Sequence, residues 1–265
     1  MNQANDNVPA IRYRDAGVTY PGGVQALKNI TLDIPAGEFV VIVGSSGAGK
    51  STLMRSINGL IPLTTGTLEI VGTAVPSKPG RELRRLRADI GMVFQDFRLV
   101  KRLTVLDNVL IGRLAHVPTW RTITGMWPKA EIEIAMEALD RVGIIDKAYV
   151  KASQLSGGQQ QRVGIARALA QRPKIILADE PVASLDPVTS HQVMQDLLRI
   201  NRDLGITTIV NLHFLDLARR YGQRIIGLRH GELVYDGSGD TVTDDQFREI
   251  YGRPPGEDDF LGGVA

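Results

Sequence analysis

The 265-residue chain has no cysteine, which excludes disulfides, thiolate metal sites and thiol catalysis together. Its four histidines, His116, His191, His213 and His230, are scattered, so no histidine-built metal cluster is expected. Charge of one sign is also lacking. A net charge of +2 gives no reason to expect nucleic acid as a partner, and a pI near 8.9 fits at most a slightly basic face near anionic lipid. The longest apolar runs, "FVVIVG" and "KIILA", are strand-length and too short to cross a bilayer. The first residues, "MNQANDNVPA", lack the charged-then-apolar pattern of a signal peptide. Long heptads, internal repeats and low-complexity blocks are missing as well. These absences point to a soluble cytoplasmic chain, large enough to bury a core.

What is present reads as an α/β fold. Short β-rich runs come first: "VTY", "ITLDI" and "FVVIVG", separated by "YPGG" and "IPAGE". A second β pair, "GTLEIVGTAV", precedes a basic helix, "RELRRLRAD", whose arginines read as a solvated face. From Phe94 to about Gln171 the pattern turns helical; "KAEIEIAMEALDRVGI" sets Ile132, Met136, Leu139 and Val142 on one stripe. Strands then return as "KIILAD", "TTIVNL" and "RIIGLR", with "GELVYDG" closing a hairpin. The pattern predicts a parallel core sheet, an antiparallel β subdomain at the N-terminal end and an inserted helical subdomain at about 96–171. The main domain is expected over 10–253, with 254–265 as a mobile Gly/Pro/acid-rich tail.

Three stretches carry chemistry. "GSSGAGKST" lies between an apolar strand and a helical pattern, the context that a phosphate loop requires. Gly44, Gly47 and Gly49 let the backbone of Ser45, Ser46 and Ala48 curl so that N–H groups converge on phosphate oxygens. Lys50 brings a point charge to the β- and γ-phosphates; the Ser51 hydroxyl, followed by Thr52, suits Mg²⁺. "KIILADE" ends a buried strand in two acids. Asp179, on a strand neighbouring the phosphate loop, would hold the Mg²⁺ shell, and Glu180 would orient or deprotonate an attacking water. "LSGGQQQR", Leu155 to Arg162, is a second glycine turn opening a helix, with free N–H groups and the positive helix end aimed at one spot. The turn at Ser156 has no cation of its own, so it can only cap a phosphate held elsewhere.

Taken in order, Gly44–Thr52, "LSGGQ" at 155–159, "ILADEP" at 176–181 and "SLD" at 184–186 resemble the ATP-binding-cassette (ABC) ATPases over about residues 10–250. The resemblance implies ATP and Mg²⁺ as cofactors. It implies Tyr20 as the aromatic stacked on adenine, and Gln95 as a Mg²⁺-touching residue that links to the membrane partner. It also implies Ser156, Gly157, Gly158 and Gln159 as the signature turn, Asp186 as an inter-subunit aspartate and His213 as a γ-phosphate histidine. Two copies would then close head to tail, each supplying half of each ATP site.

DNA-repair relatives carry a long coiled coil before the signature, and ribosome-acting relatives carry two cassettes; this chain has one cassette and a short helical lobe. The resemblance therefore implies a membrane importer motor at the cytoplasmic face of the cell membrane. Its implied partners are a second copy, separate transmembrane permease subunits and, indirectly, an extracytoplasmic substrate-binding protein. The tail leaves no expectation of a C-terminal regulatory domain. "RLVKRLTVLDNVLIGRLAH", the insert at 117–128, "ADEPVASLDP" and "GITTIVNLH" are similar to ATPases of phosphonate importers, a subgroup shared with phosphite and hypophosphite importers. One departure, "FQDFRL" after the strand, is similar to the cell-division cassette ATPase, which regulates cell-wall hydrolysis and remains the alternative. Residues from Gln95 to about Leu106, including Leu99 and Leu103, are expected to line the groove for a cytoplasmic helix of the membrane subunit. The insert's tryptophans, Trp120 and Trp127, are expected to pack inside the helical lobe.

Overall fold

In the computed structural model, residues 8–254, 256 and 259–262 are described. The strands are β1 (Ile11–Thr19), β2 (Gln25–Ile34), β3 (Phe39–Val43), β4 (Thr65–Ile70) and β5 (Thr73–Ala74), then β6 (Ile90–Phe94), β7 (Ile175–Asp179), β8 (Thr207–Asn211), β9 (Arg224–Arg229) and β10 (Glu232–Ser238). The helices are α1 (Lys50–Ile57), α2 (Arg81–Ala88), α3 (Val105–Leu110), α4 (Thr119–Thr124) and α5 (Lys129–Arg141). They continue with α6 (Gly157–Ala170), α7 (Pro187–Leu204), α8 (Leu215–Tyr221) and α9 (Asp244–Tyr251).

Residue chemistry explains the two sheets. β3 is buried along its whole length because both its faces are covered, as is usual for a central parallel strand. Its side chains alternate: Phe39, Val41 and Val43 enter one core cluster, while Val40 and Ile42 enter the other. The main sheet has the order β10-β9-β3-β8-β7-β6, parallel except for the β9–β10 hairpin. β1, β2, β4 and β5 form a separate antiparallel sheet, ordered β2-β1-β4-β5. Tyr13 joins the two layers: it is fully buried, and its hydroxyl lies 2.6 Å from Ser56 Oγ on α1.

The segment between β6 and β7 is helical. α3, α5 and α6 share a core that includes Val105, Val109, Leu139 and Val163. Arg113 pins this lobe from inside. Its Nε is 2.5 Å from Glu131 Oε2, and its Nη1 donates to the Ala170 carbonyl at 2.8 Å. On α5, Leu139 is buried, Val142 just beyond the helix is buried too, and Ile132 and Met136 pack against the same core.

Four expectations change. β8 lies between β3 and β7, so Asp179 is one strand removed from the phosphate loop rather than beside it. Of the α2 arginines, Arg87 is not merely solvated: it donates to the carbonyls of Asn58 and Gly59, satisfying the end of α1. Trp127 packs against the core, but Trp120 is 56% exposed, with the Arg121 guanidinium over its ring. The described part of the tail is packed rather than loose. Arg253 forks onto the Asp259 carboxylate at 2.6 and 2.9 Å, the Gly256 N–H joins it, and Phe260 and Leu261 rest on the core. Apolar side chains and a hydrogen-bonded ion pair on the buried Asp259 hold this described part in place.

Candidate functional site

The site forms where the parallel strands end. Register aligns Phe94, Asp179 and Asn211 across β6, β7 and β8, and Asn211 pairs with Ile42 of β3. Residues just past that row, Gln95, Glu180 and Gly44, therefore leave neighbouring strands along one edge, where open α/β sheets bind ligands.

Gly44 opens the phosphate loop at φ 149°, and a Cβ there would lie 2.2 Å from the Leu228 carbonyl oxygen. Only glycine lets the loop pass so close to β9. Lys50 is 5% exposed, and its Nζ donates to the carbonyls of Gly44 at 2.6 Å and Ser45 at 3.1 Å. Burial lowers its pKa, while Glu180 and Asp179 oppose that shift. The ammonium is thus held in reserve on the loop that would cradle phosphates.

Glu180 has a left-handed backbone, φ 50°, a conformation that costs energy for a non-glycine residue. Its Oε1 is 2.6 Å from His213 Nε2. That bond, helped by the charge of Lys50 and opposed by burial, holds the carboxyl below its ordinary value. An ionised carboxylate only accepts, so the histidine Nε2–H donates. Asn211 donates Nδ2 to Asp179 Oδ1 at 2.8 Å, while its own Oδ1 is buried without a partner. A cavity of about 570 Å³ is lined by Ser45, Ser46, Glu180, Asn211 and His213, with Tyr251, Arg253 and Asp259 from the chain's far end.

The other expected residues stand apart from this cavity. Tyr20 follows β1, is partly exposed, and its hydroxyl is 3.1 Å from Thr52 Oγ1. Asp186 caps α7, accepting from the Thr189 N–H at 3.0 Å. Ser156 caps α6: its Oγ faces the Gln159 N–H at 3.4 Å, and Gln159 Oε1 accepts the Ser156 N–H at 3.0 Å. A Cβ on Gly158 would lie 2.3 Å from Thr189 Cγ2, so this glycine also lets α6 approach α7. Gln95 is exposed, and beyond it Phe97 and Arg98 both have positive φ. Their carbonyls accept from Arg167 of α6, which ties the segment after Gln95 to the helix behind the signature turn.

Asn211, Tyr251, Arg253 and Asp259 were missed as site residues. "NLH" puts Asn211 two residues before His213, a usable signal; the other three have no local motif.

The oxygen donors suit Mg²⁺, a hard cation held through one or two protein oxygens plus phosphates and water. The unpartnered Asn211 Oδ1 beside Asp179 fits a place where further polar groups are required. Among the described residues no cluster of three His, Asp or Glu builds a metal cage.

The ABC transporter family profile matches residues 27–183, more than half of the chain. The phosphonates import ATP-binding protein PhnC of Shouchella clausii is 58% identical over 252 residues, covering 95% of each chain. The protein of the same name from Staphylococcus aureus is 56% identical, covering 95% of this chain and 98% of its own. Among solved structures, the dimeric cassette MJ0796 bound to ADP and Pi matches with TM-score 0.74 at 39% identity, over 88% of this chain and 100% of its own. The cbiO1 cassette of Clostridium perfringens matches with TM-score 0.78 at 30% identity, over 88% and 90%. The chain belongs to the ABC transporter ATPase family.

Proposed function

We propose that this chain is the ATP-hydrolysing subunit of a phosphonate importer, and that two copies close head to tail on two ATP molecules. One observation carries the composite site: Ser45, Ser46, Glu180 and His213 share a cavity that the Ser156 turn of the same chain does not line. An anion turn without its own cation, set away from its own phosphate loop, suits the nucleotide of a second copy. The named relatives at 56% and 58% identity support phosphonate as cargo.

In each site the backbone of Gly44–Gly49 and Lys50 hold the phosphates, and Tyr20 stacks on adenine. Glu180 orients and deprotonates the in-line water, and His213 meets the γ-phosphate. Ser51, Gln95 and Asp179 would hold Mg²⁺, which when bound neutralises phosphate charge. Ser156, Gly157 and Gly158 of the other copy cap the γ-phosphate, with Gln159 closing the turn and Asp186 crossing the interface. No helix among the described residues is long and apolar enough to cross a membrane. Separate permease subunits therefore complete the transporter in this reading, fed by an extracytoplasmic substrate-binding protein, with this chain peripheral at the cytoplasmic face.

Mixing two damaged chains tests the arrangement. When a Lys50→Ala chain is paired with a Ser156→Arg chain, head-to-tail geometry leaves one site intact and one doubly damaged. Sites built within single chains would each carry one lesion. Recovery of an ATP-binding site in the mixed dimer is expected, and its absence would sink the composite reading. For cargo, ATP hydrolysis by the reconstituted complex should rise with a binding protein loaded with phosphonate, and not with phosphate or phosphite.

A further inference from the structure

One wall of the proposed catalytic cavity is built by Tyr251, Arg253 and Asp259, which no phosphate-binding motif includes. α9 is seated firmly there. Phe247 and Ile250 are fully buried, and a Cβ on Gly227 of β9 would lie 2.6 Å from Ile250 Cγ1. The helix ends at Tyr251, and the next residue, Gly252, turns left-handed at φ 70° with its N–H closing on the Arg248 carbonyl. Tyr251 is thus the last residue that the helix holds rigidly, and it is 8% exposed. Its hydroxyl donates to the backbone carbonyl of His213 at 3.3 Å.

We infer that Tyr251 is a positioning residue for ATP hydrolysis: its hydroxyl fixes the His213 backbone, and through it the His213–Glu180 pair, against the phosphate loop. The inference rests on the reading of Glu180 and His213 given above. Burial raises the pKa of this hydroxyl well above the usual tyrosine range, and the nearby Gly44 backbone opposes that shift. Gly44 is also the residue whose carbonyl holds the Lys50 ammonium. The phenol thus bonds the backbone that carries His213 and lines the cavity beside the phosphate-loop residues Ser45 and Ser46. The Arg253–Asp259 pair just beyond keeps the following turn packed over the same cavity. The hydrogen bond of Tyr251 goes to a backbone carbonyl and not to the Glu180 carboxylate or the Lys50 ammonium, so its action runs through the main chain.

The test is Tyr251→Phe in the full chain, which keeps the ring and removes the hydroxyl. Expected is a fall in kcat for ATP of about five- to tenfold, the loss of one hydrogen bond's worth of alignment, with KM and nucleotide affinity unchanged. In a His213→Ala background the same substitution should add nothing, because the imidazole that the hydroxyl positions through the main chain is already gone. Ile250→Val, which loosens the same helix without touching the hydroxyl, should leave kcat within about twofold. An unchanged kcat in Tyr251→Phe, a loss fully additive with His213→Ala, or an equal loss in Ile250→Val would overturn the inference. Lys50→Ala separates the two levels. If hydrolysis survives Lys50→Ala, the site reading itself fails. If Lys50→Ala abolishes hydrolysis and Tyr251→Phe is silent, only the role of Tyr251 falls.

Discussion

His213 Nε2 donates to Glu180 Oε1 across 2.6 Å, so the proposed base and the proposed γ-phosphate sensor are each other's partner. Both line one cavity with the phosphate-loop serines. Water attack requires that this bond be exchanged or shared, which makes the pair the natural place to perturb the reaction.

Glu180→Gln keeps the shape and removes the basicity. Hydrolysis should fall by about 10²- to 10⁴-fold, the usual worth of general-base assistance, while ATP affinity stays within a few-fold. Single-turnover hydrolysis beside equilibrium nucleotide binding checks both halves.

Acid should report on the same bond. The Glu180 carboxyl is held below its ordinary value of 4.5, chiefly by His213. A depressed folded pKa means that this group's contribution to stability is complete above the ordinary value and lost as pH falls through the folded one. The difference in thermal midpoint between wild type and Glu180→Gln should be flat as far as Glu180 is concerned above about pH 4.5 and shrink below it. A difference that grows on acidification would contradict the sign.

Arg113 should be structural. It is 4% exposed, paired with Glu131 and bonded to the Ala170 carbonyl. Arg113→Ala would leave a largely buried carboxylate and a buried carbonyl without that partner, a loss of about 3 kcal/mol. Urea unfolding measures it, and nucleotide affinity of the folded fraction should be unchanged.

Arg167 should be a coupling residue. Its guanidinium holds the carbonyls of Phe97 and Arg98 at 2.9 and 2.6 Å, just past Gln95. Arg167→Leu should spare basal hydrolysis within about threefold but reduce its stimulation by the membrane subunits about tenfold or more. Cysteine crosslinking suits the same segment, though Leu99 packs on the core and the exposed Val100 is the better position.

The sequence by itself determined the pieces whose chemistry is local. The phosphate loop is contiguous with its strand and helix, and its glycines are required by backbone geometry within a few residues. The signature turn is likewise a short run at a helix start, where unpaired N–H groups are unavoidable. Strand-length apolar runs gave the main strands, and the Ile132–Val142 stripe gave α5.

Only the tertiary structure decided what those pieces face. It put β8 between β3 and β7, because a parallel sheet's order depends on how crossovers pack and not on chain order. It exposed Trp120 while burying much of Trp127. Above all it brought Tyr251 to His213 from 38 residues away, and set Arg253 and Asp259 on the cavity that Glu180 lines. Backbone N–H groups and glycine torsions act within a turn and can be read along the chain. A hydroxyl meeting a distant carbonyl depends on every packed side chain between them, and no local pattern records it.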